Sequence, residues 1–498
     1  LSNLGDCYAA QGLDTLALHN YQEAISTMEK IRSRLDVEAH KTSYSAGIQN
    51  TYQSAVLTCL RLNNLSEAFE YTERSRARSF LDLLASDKIW VGKSQHEDFF
   101  ATEQDFCRKE KLLKDQIYSA ADDTQNTAQL RGQLKKEAEA HAKMITEMKY
   151  AEPEISSMVS VNSLTLSEVQ DLIDPKSTLL EYFLTQENMV TWVISKDQTE
   201  VFQTPIPSDS LKNLVNGFRQ SIEFVGEEPL LAKELYRILI EPVLEKIKTE
   251  HLVIVPHGIL HYLPFQALQN QEGEYLLDRF CISYLPSASA LKYILPKRRP
   301  KGQKLLALGN PSTNVEGFAP LPYCEEEVRS IAELYQDKLV LTQSTATEDK
   351  FVLLASQYDI LHLACHADLN SAYPMFSGLL LAPGEAQDGD LNVYEIFSLD
   401  LSAYLVILSA CQTGLGHLTN GDELVGLARA FVYAGTPSIL SSLWMVDDES
   451  TAYFMKQFHQ NLRTYDKAKS LQRAQQQTRE KFSDPRAWAA FVLIGDTF

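Results

Sequence analysis

A histidine and a cysteine, each standing where a long apolar run stops, are the residues of this chain best suited to covalent chemistry. The first run, YDILHLACHA, ends in His366-Ala367; the second, YLVILSACQTG, ends in Cys411. Both have the length of a buried strand, and neighbouring parallel strands bring their carboxyl ends to one edge of a sheet, where loops meet and ligands bind. An imidazole facing a thiol there can take its proton or stabilise the thiolate, the actual nucleophile, and so bring a group that ionises near about pH 8.5 into working range. The backbone N–H groups of Cys411 and Ala367 are placed to hold the oxyanion that grows on an attacked carbonyl. Gly414 and Gly416 allow close backbone approach in the loop after Cys411, which a purely structural strand end does not need. The bland alternative is a small buried thiol and a satisfied edge histidine; the pairing of the two on successive strand ends favours chemistry.

Rival constellations are weaker. His257-Gly258 also follows an apolar run, HLVIVP, but no second strand ending in a cysteine comes after it until Cys411. His257 and His261 have the spacing of a helical metal pair without the glutamate of H-E-x-x-H. In His362-x-x-Cys365-His366, strand alternation sends Cys365 away from the two histidines, so no metal site is expected. The serine-hydrolase elbow G-x-S-x-G and the phosphate loop G-x-x-x-x-G-K-[ST] are both absent from the sequence, and no cofactor is expected.

The elements that must position the pair follow from composition and patterning. The 498 residues have room for two or three domains, and 44% hydrophobic content supplies packed cores. A net charge of -20 argues against wrapping bare nucleic acid or an anionic membrane, both of which need clustered Lys and Arg. The seven cysteines are scattered without a C-x-x-C pair, so neither a zinc ribbon nor a disulfide framework is indicated and a reducing, cytoplasmic setting is expected. No run approaches a membrane span, and no secretory leader is recognisable at the start.

The opening residues Leu4-Gly5-x-x-Tyr8, Gly12 and Tyr21-Gln-Glu-Ala24 follow the small and large positions of a tetratricopeptide helix pair. A second copy reads at Tyr52, Ala55, Leu60, Leu62, Asn64, Ala68, Phe69 and Tyr71, after a connector over Arg34–Ser43. Two repeats are too few to stand alone, so the segment is expected to belong to a longer array. A helical arm is expected over Phe99–Tyr150. After Asp174-Pro175 the pattern turns to strands, at Leu179–Phe183, Met189–Ser195, Glu200–Phe202, His251–Pro256 and Cys281–Leu285, with a helix over Ser210–Phe224. Beyond Lys304 strands alternate with helices, the mark of a sheet covered on both faces. Strands are expected at Lys304–Gly309, Lys338–Leu341, Asp359–Ala364, Tyr404–Ser409 and Ser438–Trp444. The helices between them include one opened by a Thr345-x-x-Glu348 capping box and one over Glu423–Ala434.

With these blocks in view the sequence resembles the CHAT domain family, a caspase-like peptidase family found with tetratricopeptide repeats and related to caspases and separase. The resemblance covers about Leu179 to Phe498 and rests on VPHGILHYLPFQAL, LPSASAL, LALGNP, DILHLACHA, LVILSACQTGLG and DELVGLARAFVYAGTPSILSSLWMVDDEST. It implies a catalytic dyad on His366 and Cys411. The more distant peptidase relatives have His-Gly where this chain has His366-Ala367; an alanine still offers a backbone N–H. The resemblance also implies an inactive first half beside a working second half. The expected fold class is therefore α + α/β. Tetratricopeptide-like helical repeats (1–88) and a helical arm (89–160) come first, then a caspase-like α/β sheet domain whose pseudo-caspase half is 161–300 and catalytic half 301–498.

Asp447 and Asp448 stand where caspase-like enzymes put the loop lining the primary specificity pocket, and a carboxylate there, with Asp422 as a further candidate, favours Arg or Lys before the cut. The competing role for Asp447 is the N-cap of a helix over Glu449–Asn461. The implied activity is cysteine endopeptidase cleavage of a protein substrate. The implied regulation is an activating protein or ribonucleoprotein partner at the repeats, as in family members of bacterial defence that CRISPR effector complexes switch on. A catalytically silent scaffold and an acyltransferase using the same nucleophile are the alternatives.

Overall fold

The computed structural model describes residues 1–32, 38–84, 130, 133, 136, 163–224, 228–313, 315, 318, 320–368, 377–409, 422–444 and 446–498. Cys411 and all but three residues of the expected arm lie outside them. The chain divides into two compact units, Leu1–Ser163 and Leu164–Phe498.

The first unit contains α1 (Ser2–Ala10), α2 (Asp14–Arg32), α3 (Glu38–Arg61) and α4 (Leu65–Leu84). Gly5 is buried, and a Cβ on it would lie 2.5 Å from the Tyr21 ring, so the absence of a side chain is what lets α1 and α2 close. Tyr21 is spanned at its polar end by Asp6, whose carboxylate accepts its O–H at 2.7 Å. The second pair repeats the scheme with Ala55 and Ala68 buried and Tyr52 against Tyr71 at 6.2 Å between ring centres. Two expectations shift. Helix α3 begins at Glu38, inside the expected connector, because Glu, Ala and Lys there are good helix formers and no proline stops them; and Leu62 is exposed, beyond the end of α3.

The second unit is built on an eleven-stranded sheet ordered β3-β2-β1-β4-β5-β14-β13-β12-β8-β6-β7. In chain order these strands are β1 (Ser177–Leu184), β2 (Asn188–Ile194), β3 (Thr199–Pro205), β4 (His251–Val255), β5 (Cys281–Tyr284), β6 (Leu305–Pro311), β7 (Lys338–Gln343), β8 (Ile360–Ala364), β12 (Leu405–Leu408), β13 (Ser438–Ser442) and β14 (Phe491–Gly495). A second, three-stranded sheet is ordered β11-β10-β9, with β9 (His366–Asp368), β10 (Gly378–Leu380) and β11 (Asp390–Asn392). Strands β4, β8 and β12 are buried along their whole length, as expected of strands covered on both faces.

Strand direction reverses at β2, which is antiparallel to both β1 and β3, and again in the middle of the sheet. β13, β12, β8, β6 and β7 are mutually parallel, as are β1, β4, β5 and β14; the two blocks meet where β13 pairs antiparallel with β14. The carboxyl ends of β8, β12 and β13 therefore share one edge, and those of β1, β4 and β5 point to the opposite edge. Patterning alone does not predict β14, although it is the pivot.

The helix after β7 spans Glu348–Leu354 and is capped by Thr347, whose hydroxyl accepts the Lys350 N–H, in place of Thr345. The Thr345 hydroxyl is already committed to a turn with Thr342. No helix among the described residues is long and apolar enough to cross a membrane.

Candidate functional site

Strand β8 ends at Ala364, Cys365 forms a bend, and His366 opens β9. The bend interrupts the alternation expected across His362, Cys365 and His366; Cys365 is fully buried and His366 half-buried. His366 is thereby carried by the small sheet, opposite Leu380 of β10, and its ring meets Phe318 at 5.0 Å. Ala367 is buried within β9, opposite Leu379. The small sheet is close-packed: a Cβ on Gly378 would lie 2.6 Å from the Leu391 carbonyl oxygen.

β8 and β12 are parallel neighbours, with Leu363 level with Leu408, and Leu408 is level with Ser441 of β13. The Ser409 N–H continues the ladder to the Leu363 carbonyl at 2.9 Å. His366, Cys411 and Trp444 are each the third residue beyond this level row. No structure is described for Cys411 itself.

Asp447 is the N-cap of helix Asp448–Leu462, its carboxylate accepting the Ser450 N–H at 3.3 Å. Burial, then the charges of Asp447 and Glu327, hold the Asp448 carboxyl above the usual aspartate range. Asp422 opens helix Asp422–Tyr433, and its side chain is outside the described set.

The rival histidine has a different surrounding. His257 follows β4 at the opposite edge, where its Nδ1 accepts the Leu184 N–H at 2.9 Å and its ring stacks on Phe183 at 5.1 Å. Among the described residues no group of three or more His, Cys, Asp or Glu side chains is arranged to hold a metal ion.

The sequence reading missed a buried chain of four side chains behind β8. His362 Nε2 contacts Glu327 Oε1 at 2.7 Å, His362 Nδ1 contacts His459 Nε2 at 3.1 Å, and His459 Nδ1 contacts the Tyr335 hydroxyl at 2.7 Å. With Glu327 as carboxylate, one arrangement gives each contact its proton: Tyr335 O–H donates to His459 Nδ1, His459 Nε2–H to His362 Nδ1, and His362 Nε2–H to Glu327. Burial, and secondly the neighbouring His362, pushes the His459 pKa well below 6.5, so His459 is neutral in this chain. This chain ties β8 to helix Pro322–Ala332 and to the helix that Asp447 caps.

A second missed residue is Arg219, on helix Ser208–Phe224 and only 3% exposed. Its Nη2 donates to Glu223 at 2.7 Å and to the Leu443 carbonyl at 3.3 Å. Its guanidinium lies 5.5 Å from the Tyr262 ring centre and 5.9 Å from that of Trp444. One signal was available for Glu327, His459 and Arg219 alike: each falls three or four residues from an apolar position on the buried stripe of its helix, where a charged or polar residue needs a partner.

The model of the CHAT domain matches residues 230–496, more than half of the chain. Tetratricopeptide repeat protein 28 of Mus musculus is 28% identical over 334 residues, 54% of this chain and 13% of that protein. Its Homo sapiens counterpart is 27% identical over 333 residues with the same coverage; the chain thus spans a small part of the length of the curated relatives it matches. Among solved structures, the Saccharomyces cerevisiae separase–securin complex aligns over 99% of this chain and 46% of its own at 10% identity, TM-score 0.42. The complex of Porphyromonas gingivalis RgpB pro- and mature domains aligns over 58% and 77% at 10% identity, TM-score 0.38.

Proposed function

The chain belongs to the CHAT domain family, and on that premise we propose that it is a cysteine endopeptidase whose dyad is His366 and Cys411. The observation that carries the proposal is the register of β8 and β12: hydrogen-bonded parallel neighbours, level at Leu363 and Leu408, have their carboxyl ends at one sheet edge, and in the sequence His366 and Cys411 are each the third residue after that row.

In this reading His366 takes the Cys411 proton and the thiolate adds to the scissile carbonyl carbon. The C–N bond breaks as the imidazolium returns the proton to the leaving amine. Water, deprotonated by His366, then cleaves the thioester to a carboxylic acid and restores the thiol. The N–H groups of Ala367 and Cys411 hold the oxyanion. Asp448, beside Asp447 and Glu327, and with Asp422 as a further carboxylate, gives the pocket a negative lining that selects Arg or Lys before the cut. The helical repeats dock an activating protein or ribonucleoprotein, whose binding energy aligns the dyad.

The test is to incubate the chain with a protein mixture and candidate activators and identify new peptide amino termini by mass spectrometry. The proposal expects termini preceded by Arg or Lys that vanish with Cys411→Ala. Identical patterns from both proteins would leave a partner-binding scaffold as the better reading, and products joined to amines an acyltransferase.

A further inference from the structure

Arg219 is an expensive residue to bury. A guanidinium withdrawn from water costs several kcal/mol unless paired and hydrogen-bonded, and a helix that only had to fill the core would carry Met or Leu at this place. Here the charge is paired with Glu223; apart from the Tyr262 ring, the other contacts fall on one short stretch, Leu443–Trp444, where the chain has just left β13.

Three polar groups of that stretch are held. The Leu443 N–H donates to the Ala490 carbonyl at 2.8 Å and the Leu443 carbonyl accepts from Arg219. The Trp444 indole N–H donates to the Arg486 carbonyl at 3.0 Å, and its ring lies beside the Arg219 cation. A cation over an indole face adds about 0.5–2 kcal/mol when desolvated, so the ring is held at its edge and on its face at once. Strand register puts Ser441 level with Leu408 and Leu363, so Trp444, like His366, is the third residue beyond that row, on the strand that flanks β12 on the side away from β8. In the peptidase reading, with His366 following β8 and Cys411 following β12, the β13 side is the flank left for an extended peptide.

We infer that Arg219 is a positioning residue for substrate recognition, clamping the Leu443–Trp444 segment as the fixed wall against which the peptide beside the cut is bound. The inference rests on the peptidase reading above. It gives the first block of the sheet unit a task at the site: helix Ser208–Phe224 lies in that half of the sequence, and its Arg219, packed on Tyr262 of the same half, reaches a segment of the other half.

The experiment uses the full chain as wild type, Arg219→Met and Arg219→Lys. A peptide electrophile and iodoacetamide are each timed against Cys411 by mass spectrometry, and Trp444 is followed by ¹⁹F spectra of fluorotryptophan protein, its signal assigned with Trp444→Phe. Arg219→Met is expected to weaken saturation by the peptide electrophile about ten-fold while its limiting rate, and the iodoacetamide rate, stay within about two-fold, the pattern of lost binding with intact chemistry. The Trp444 resonance is expected to shift or broaden, and Arg219→Lys, which keeps the charge and one donor, to recover part of both effects. An unmoved Trp444 resonance with unchanged saturation overturns the inference. Equal loss of both labelling rates also overturns it, since Arg219 would then serve the dyad or the fold at large. Were the wild type to show no selective labelling while Trp444 moved, the peptidase reading would fail, taking the recognition role with it and leaving only the clamp.

Discussion

The two blocks of the large sheet each lead from a buried strand to a histidine, and the proposed dyad uses only one of them. Strand β4 leads to His257-Gly258 and β8 to His366-Ala367, and as sequence the first looks closer to a His-Gly catalytic step. Their neighbours separate them. β4 lies between β1 and β5, and Cys281 is the first residue of β5 and so belongs to the other edge. β8 lies beside β12, whose end leads toward Cys411. The His257 ring serves the fold, accepting a backbone N–H and stacking on Phe183. The His366 ring sits half-buried on a small sheet just off the main one. The proposal thus separates the two histidines by which strand lies next door, a property of topology more than of the local motif.

The largest effect that tests this contrast is on turnover. His366→Ala and Cys411→Ala are each expected to lower peptide cleavage at least about 10³-fold with unchanged circular dichroism. His257→Ala should stay within about three-fold of wild-type turnover yet lose about 1–3 kcal/mol of stability in urea titration, because the Leu184 N–H is left buried and unpaired. Reversal of these outcomes would exchange the roles assigned to the two blocks.

The second effect sharpens the comparison within the block that holds β8 and β12. His459→Phe should cost about 2–4 kcal/mol by denaturant unfolding, since it strands the Tyr335 hydroxyl and His362 Nδ1 in the core. The wild type should also lose stability as pH falls below 6.5: His459, held neutral in the folded protein by burial, takes a proton only when the chain unfolds. The unfolded state then binds more protons, and the slope approaches about 1.4 kcal/mol per pH unit. His459→Phe should flatten that slope, and a slope unchanged in the variant would assign it to other groups.

Most of this architecture was legible where local signals sufficed. Apolar runs marked β1, β4, β8 and β12 to within a residue or two, and Asp447 was read as a possible cap as well as a pocket residue. What was not legible depends on residues far apart in the chain. β14 is a short apolar run whose place at the pivot follows only from its pairing with β13 and β5. The Glu327–His362–His459–Tyr335 chain draws on three elements, and Arg219 meets Leu443 across more than two hundred residues. Thr345 misled because the expected cap box is satisfied by sequence spacing, while its hydroxyl is consumed by the preceding turn.

The smallest effect concerns the turn between β10 and β11. Glu348 accepts the Gly389 N–H at 2.9 Å in the turn joining β10 to β11, and its other oxygen meets no donor among the described residues. Burial, then the charges of Glu395, Asp388 and Asp390, raises its pKa from 4.5 to about 8. The folded state therefore keeps a proton that the unfolded chain releases, and this contribution is complete below pH 4.5 and lost as pH rises through about 8. Glu348→Gln, which keeps the acceptor without the charge, should gain about 1–3 kcal/mol at pH 8 and nothing at pH 4; equal gains at both would contradict the assignment.

The central claim is that sulfur and imidazole meet at one sheet edge, and the most direct measurement is site-mapped labelling by an Arg-bearing peptide electrophile with candidate activators present. The account predicts modification concentrated on Cys411, at least about ten-fold faster than on any other cysteine, and abolished by His366→Ala but not by His257→Ala. Labelling of Cys411 at the rate of exposed Cys7, indifferent to His366, would contradict it.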